Sequence, residues 1–265
     1  MRDAVVEAPG LHVESLGAGA PLVLLHGFAM NGALFAPLLP SLARRHRVHV
    51  VDLPGHGHSP PLSPFDLPSL AHAIDAVLGD ADAPPAVLGW SLGGQIALQW
   101  AHLRPARVRR LILVATTPSF VAREDWPHAM AADTLSRFGD ELRVSCRLTL
   151  QRFLALQVHG SAEGRATLAQ LRDRLFERGA PSPSALESAL DVLRRSDLRA
   201  ALAGITTPAL VIGGDRDALV PLQATRELAA ALPNGQHMTI AGAAHAPFLS
   251  HRLAFLDAVL PFIDA

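Results

Sequence analysis

The sequence predicts an α/β protein, a mostly parallel sheet flanked by helices and carrying one helical insertion. Three observations lead there. Short apolar runs alternate with longer helical patterns along the chain. The runs lack the polar alternation of a half-exposed strand, which suits strands covered on both faces. The alternation stops between about 120 and 195 and then resumes.

The elements follow in order. Leu22, Val23, Leu24 and Leu25 form the first strand run, ended by Gly27, and 48–51 forms the second, ended by Pro54 and Gly55. The third lies at 86–88, the fourth at 111–114, the fifth at 209–212 before Gly213 and Gly214, and the sixth at 237–240. Helical patterns at 92–103, 222–232 and 247–263 lie between or after them. A β-α-β-α order predicts parallel pairing with crossover helices. From 120 to 195 helical patterns are punctuated by Pro127, Gly139, Gly160, Gly179, Pro181 and Pro183. This divides the chain into a core (1–119 and 196–265) and a helical cap (120–195) over the carboxyl ends of the strands, where open α/β sheets bind ligands.

Bulk properties narrow the function. A chain of 265 residues accommodates one such domain with an insertion. Net charge is −1, which gives no global attraction to nucleic acid or an anionic membrane. Every basic residue other than histidine is arginine. The single cysteine, Cys146, supports no internal disulfide framework and reads as a packing residue in a reducing compartment. The start, Met1, Arg2, Asp3 and Ala4, leads into no long apolar stretch and does not read as a signal peptide. No run approaches the ~18 apolar residues of a spanning helix. The expectation is a cytoplasmic monomer.

The chemistry is carried by Gly89, Trp90, Ser91, Leu92 and Gly93, a G-x-S-x-G pattern. A strand run precedes it and a helical pattern follows. In that setting a serine sits on a sharp strand-to-helix turn, its hydroxyl exposed at a helix N-terminus, and side chains on the flanking glycines would crowd the turn. This is the nucleophile elbow of the α/β-hydrolase fold. A serine hydroxyl needs a base near neutral pH, and this fold orders its triad Ser, Asp or Glu, His. His245 follows the last strand and precedes the last helix, so its loop reaches the top of the sheet. Asp215 and Asp217, after the fifth strand, are both candidates for the acid. The oxyanion needs N–H donors; the main-chain N–H groups of Leu92, after the nucleophile, and of Phe28, in the loop after the first strand run, are in place. Asp52, Gly55, Gly57 and Ser59 form a D-x-x-G-x-G-x-S turn read as structural. His56 and His58 beside Asp52 lack the ligand spacing of a metal site, so no metal or other cofactor is expected.

The chain resembles the pimeloyl-[acyl-carrier protein] methyl ester esterases through most of its length. The resemblance is carried by 24–28, 51–55 and 88–94, and most specifically by 123–127 (Arg-Glu-Asp-Trp-Pro), 152–157 (Arg-Phe-Leu-Ala-Leu-Gln) and 243–248 (Ala-Ala-His-Ala-Pro-Phe). It implies a serine carboxylesterase that removes the methyl group from a pimeloyl ester on acyl-carrier protein, in biotin synthesis. The family pattern G-x-x-D-x-x-V-P places the acid at Asp217. Phe28 stands where the family usually has Trp and, with Ser91, Leu92 and His245, belongs to the implied substrate site. Phe153, Leu154, Ala155, Leu156 and Gln157 match acyl-chain contacts. Arg152 and Arg165 match carrier-docking arginines, with Arg147 and Arg172 nearby. Independently, 137–178 holds eight Arg against five Asp or Glu, a plausible patch for an acidic partner. A broad carboxylesterase or lactonase of the same fold is the nearest rival, and a non-catalytic binding protein on this fold a more distant one.

Overall fold

A computed structural model describes residues 10–79 and 83–265. The reading of Met1 to Ala4 lies outside the described residues. Seven strands form one sheet: β1 (Val13–Leu16), β2 (Ala20–Leu25), β3 (His46–Val51), β4 (Ala86–Trp90), β5 (Arg110–Val114), β6 (Ala209–Gly214) and β7 (Gly235–Ile240), in the order β1-β3-β2-β4-β5-β6-β7. Every pairing is parallel except β1 with β3. This is the α/β-hydrolase architecture. All residues of β4 and β6 are buried. Successive strand residues face opposite sides, so both faces of the sheet are covered there. The six predicted strand runs are all present. β1 was not anticipated; it is an edge strand whose residues alternate between buried and half-buried, unlike the apolar runs.

Among the described residues the core helices are α1 (Leu39–Leu42), α2 (Leu67–Leu78) and α3 (Leu92–Leu103) before the insertion. α4 (Ala132–Val144), α5 (Cys146–Gln157), α6 (Gly164–Leu175) and α7 (Pro183–Arg195) make up the insertion, and α8 (Leu222–Ala231), α9 (Pro247–Ser250) and α10 (Arg252–Asp264) follow it. The pattern at 247–263 was expected as one helix. It is two, because His251 takes a non-helical conformation (φ −127°, ψ 48°) between them. α7 illustrates how the sequence starts a helix: the Ser182 hydroxyl accepts the Ala185 N–H at 3.1 Å, and Pro183 at the first position needs no acceptor.

Two features place the site. β2 pairs with β3 on one side and β4 on the other, so the direction of sheet building reverses between β2 and β4. Open α/β sheets bind ligands at the carboxyl ends flanking such a reversal. The four helices of the insertion leave after β5 and return before β6, its neighbour in the sheet. The insertion is clamped to the core at its far end. Arg178, after α6, donates to both carboxylate oxygens of Asp52 at 3.2 and 3.1 Å and to Glu14 at 2.6 Å. Asn31 Nδ2 donates to the Arg174 carbonyl at 2.9 Å. Asp52 also accepts the N–H groups of Gly32 at 2.6 Å and His58 at 3.0 Å, and its own carbonyl accepts the Ser59 hydroxyl at 2.6 Å. The D-x-x-G-x-G-x-S turn thus holds loops and insertion together.

Candidate active site

Ser91 follows directly on β4 and has φ +56°, ψ −117°, a conformation L side chains rarely adopt. Its N–H donates to the Val114 carbonyl at 2.9 Å, and its carbonyl accepts the Thr116 hydroxyl at 2.7 Å. The flanking glycines let the turn close: a Cβ on Gly89 would collide with the Gly93 carbonyl, and one on Gly93 with the carbonyls of Leu25 and His26. Ala29 and Ala115 also have positive φ, 63° and 47°. They follow β2 and β5, the two strands beside β4, so backbone strain gathers around Ser91. Leu92 opens α3, and its N–H is among those that a helix leaves without an intrahelical acceptor.

The loop after β2 is held by His26. Its Nδ1 lies 2.8 Å from the Gly27 carbonyl, and its Nε2 accepts the Leu53 N–H at 2.9 Å. The second bond requires a neutral ring. Burial, followed by the neighbouring His56, lowers its pKa to about 3. Phe28 therefore extends from a loop fixed to the next strand's loop.

The two candidate acids do different things. Asp217 Oδ2 lies 2.8 Å from His245 Nδ1, both side chains being almost fully buried. Asp217 Oδ1 accepts the N–H groups of Leu219 and Val220. Asp215 instead accepts the Gly242 N–H at 2.7 Å and shapes that turn. His245 is further held by its main chain. Its N–H donates to the Gln157 carbonyl at 3.0 Å, and its carbonyl accepts Trp90 Nε1–H at 2.7 Å.

Ser91 and His245 face one narrow, apolar-lined cavity. Phe28 and Leu219 line it from the core, and Thr134, Leu135, Phe138, Phe153, Leu156, Leu190 and Leu193 from the insertion. The rings of Phe28, Phe138 and Phe153 meet one another, with centroids 5.3–5.9 Å apart. Of the five consecutive residues expected on the acyl chain, Phe153 and Leu156 line this cavity. Leu154, Ala155 and Gln157 do not, because a helix turns residues one and two positions away onto other faces. Leu154 is buried in the core, Ala155 is exposed, and Gln157 faces the loop of His245. Leu92 is buried beneath Ser91 and meets the cavity through no side-chain contact. Phe138 was not anticipated; an aromatic residue at helical spacing is indistinguishable from ordinary core in sequence.

The profile of the family described as the alpha/beta hydrolase fold matches residues 20–252. The pimeloyl-[acyl-carrier protein] methyl ester esterase of Xanthomonas oryzae pv. oryzae is 46% identical over 96% of this chain and 98% of its own. That of Stenotrophomonas maltophilia is 47% identical over 96% of this chain and 97% of its own. The chain belongs to the pimeloyl-[acyl-carrier protein] methyl ester esterases of the α/β-hydrolase fold. Solved structures extend the likeness of fold beyond this esterase family. An esterase from Exiguobacterium antarcticum superimposes with a TM-score of 0.87 at 24% identity, covering 98% of each chain. An enol-lactonase from Burkholderia xenovorans superimposes with a TM-score of 0.83 at 22% identity, covering 99% of this chain and all of its own.

The other residues that carried the resemblance to this esterase family sort by position. Arg123 and Trp126 exchange main-chain hydrogen bonds at 3.0 Å, Trp126 Nε1 donates to the Thr117 hydroxyl at 3.0 Å, and Arg123 pairs with Asp197 at 3.3 Å. The 123–127 block thus fixes the entry into the insertion. Arg147 and Arg152 on α5 and Arg165 and Arg172 on α6 are all exposed. Arg152 lies 3.6 Å from Glu141, and Arg147 stacks over the Phe176 ring. The charge count over 137–178 overstated the surface, because Arg178 is engaged in the buried clamp to Asp52 and Arg174 pairs with Glu177. Cys146 is half-buried against the core, and burial raises its thiol pKa. Among the described residues, no group of three or more His, Cys, Asp or Glu is placed to hold a metal, and no helix is long and apolar enough to cross a membrane.

Proposed function

We propose that this protein is a serine carboxylesterase that hydrolyses the methyl ester of pimeloyl-[acyl-carrier protein], freeing the pimeloyl carboxylate and methanol for biotin synthesis. The observation that carries this reading is the apolar cavity under the insertion that the elbow serine and an Asp217-paired imidazole both line. The family to which the chain belongs supplies the substrate class.

Ser91 is the nucleophile, His245 the base and Asp217 the acid that orients it. Ser91 Oγ attacks the ester carbonyl as His245 Nε2 takes its proton. The N–H groups of Phe28 and Leu92 hold the oxyanion. Collapse breaks the bond to the methoxy oxygen, which leaves as methanol with the proton from His245. Water, deprotonated by the same imidazole, then attacks the acyl-enzyme and releases the carboxylate and Ser91. Protein groups and water balance the reaction, so no cofactor is invoked.

The insertion acts as a cap. Phe28, Phe138, Phe153 and Leu156 cover the methylenes of the acyl chain, each worth about 0.8 kcal/mol when buried. Presenting the distal methyl ester to Ser91 leaves the thioester and its carrier outside. Arg147, Arg152, Arg165 and Arg172 form the face that receives the acidic carrier protein in the cytoplasm, with the esterase acting as a monomer.

A biotin auxotroph lacking its own esterase tests the reading. Wild-type protein restores growth and Ser91→Ala does not; failure of the wild type refutes the assignment. Arg152→Glu with Arg165→Glu weakens hydrolysis of the carrier-bound ester while sparing a small nitrophenyl ester. Equal loss on both substrates removes the docking role and favours a broad esterase.

A further inference from the structure

Thr116, just beyond β5, is fully buried, and its hydroxyl donates to the Ser91 carbonyl at 2.7 Å. The same carbonyl accepts the N–H groups of Gly94 at 2.9 Å and Gln95 at 3.3 Å. Of these three bonds the one from Thr116 is the shortest, and it alone comes from a side chain and from outside α3. Thr116 is held in place from both sides. Ala115, with φ 47°, turns the chain off β5 and donates its N–H to the Ile212 carbonyl at 2.9 Å. The Thr117 carbonyl accepts Gln95 Nε2–H at 3.1 Å, and the Thr117 hydroxyl accepts Trp126 Nε1–H at 3.0 Å. Gly94 makes room for the arrangement, since a Cβ there would stand 2.7 to 2.8 Å from the atoms of the Thr116 side chain.

The bond bears on Leu92 because the Ser91 carbonyl and the Leu92 N–H belong to one peptide unit. That unit is planar and trans, so its C=O and N–H point in opposite directions. A donor that fixes the carbonyl therefore fixes the N–H. The carbonyl is directed into the first turn of α3, toward Gly94, Gln95 and Thr116. The Leu92 N–H is thereby directed off the N-terminal end of the helix, where Ser91 lines the cavity. Ser91 itself sits at φ 56°, ψ −117°, a conformation that persists only where the surroundings hold it. A hydrogen bond at one end of an amide also polarises it and strengthens the donor at the other end. We propose that Thr116 is a positioning residue for the oxyanion hole, aiming and polarising the Leu92 N–H through the peptide plane it shares with the Ser91 carbonyl. The inference rests on the reading of Ser91 as the nucleophile and of the Leu92 N–H as an oxyanion donor.

The test compares wild type, Thr116→Val, Thr116→Ser and Ser91→Ala on a carrier-bound pimeloyl methyl ester and on nitrophenyl acetate, together with inhibition by an alkyl trifluoromethyl ketone. The ketone adds Ser91 Oγ at its carbonyl carbon and so places an oxyanion against the same donors. Thr116→Val keeps the shape and removes the hydroxyl, and the Ser91 carbonyl retains its bonds to Gly94 and Gln95, so no buried acceptor is orphaned. The variant lowers kcat on both substrates by roughly ten- to a hundredfold, less than the loss of a whole oxyanion donor, with KM held within about twofold. The inhibition constant of the ketone rises by a similar factor, because the adduct resembles the transition state. Thr116→Ser restores most of the rate and of the inhibitor affinity. A lower melting temperature of Thr116→Val with unchanged kcat reduces Thr116 to a packing residue and overturns the proposal. A fall in kcat with the ketone bound as tightly as before moves the defect away from the oxyanion and overturns it equally, as does a Thr116→Ser protein no faster than Thr116→Val. A wild type no more active than Ser91→Ala on either substrate refutes the esterase reading instead.

Discussion

Asp217 meets His245 with one carboxylate oxygen while the other is pinned by the chain: Oδ2 lies 2.8 Å from the imidazole Nδ1, and Oδ1 accepts the N–H groups of Leu219 and Val220 at 2.8 and 3.0 Å. The carboxylate cannot swing away without giving up two buried hydrogen bonds. The imidazole is thereby held with its Nδ1 toward Asp217, which leaves Nε2 as the nitrogen that serves as base in the proposed mechanism.

Asp217→Asn keeps the shape and loses this bias toward one tautomer. Turnover of a nitrophenyl ester falls by roughly a thousand- to ten-thousandfold, with an unchanged circular dichroism spectrum. Asp215→Asn can still accept the Gly242 N–H and stays within about threefold of wild type. The opposite ranking of the two variants would transfer the orienting role to Asp215.

Gly93→Ala puts a methyl group against the carbonyls of Leu25 and His26, both main chain and neither free to rotate away. Urea titration should register a loss of about 1–3 kcal/mol, as for other forced overpacking. Activity drops further, because the displaced segment carries the strained Ser91. A stable, fully active Gly93→Ala protein is incompatible with this turn.

Arg178→Met removes the partner of a carboxylate whose side chain is fully buried. Burial pushes the Asp52 pKa up, but His26, Arg178 and the N–H groups of His58 and Gly32 outweigh it and hold the group below its ordinary value. Breaking such a pair from one side costs about 3–5 kcal/mol, and Arg178→Met combined with Asp52→Asn recovers part of the loss. Chemical denaturation of the single and double variants measures both values; a double variant no more stable than the single one contradicts the account.

Acidification should weaken the fold early. His26 is lowered from 6.5 to about 3 and His56 is lowered by burial, so the folded protein keeps both rings neutral while the unfolded chain protonates them near 6.5. Depressed pKa values of this kind give stability that is complete above pH 6.5 and is lost as pH falls toward 3. The slope is about 1.4 kcal/mol per pH unit for each ring that remains neutral. Urea midpoints at about pH 7.5 and 5.5, on either side of the unfolded value, read it directly, and equal midpoints would show that the rings titrate alike in both states.

The sheet was legible because its inner strands are buried on both faces and so appear as uninterrupted apolar runs. β1 escaped for the complementary reason: Val13, Glu14, Ser15 and Leu16 make a short edge strand in which polar residues interrupt the apolar ones. The elbow was legible because close backbone approach admits glycine alone at two fixed positions. Long-range partnerships were not. Nothing in the order of residues separates Arg178, clamped to Asp52, from the exposed arginines before it. Nor does a contiguous block such as 153–157 announce which of its members a helix turns toward a cavity. The break at His251 leaves no trace in periodicity either, since apolar residues resume on its far side.

In the sheet Val114 and Ile212 lie side by side, although the whole insertion separates them in the chain. Departure and return are neighbours, so the hydrolytic frame closes whatever is strung between them. Evolution can exchange, lengthen or recharge those four helices without renegotiating strand pairing. One chassis can thus be re-aimed at new esters so long as the bond from the His245 N–H to the end of α5 is kept.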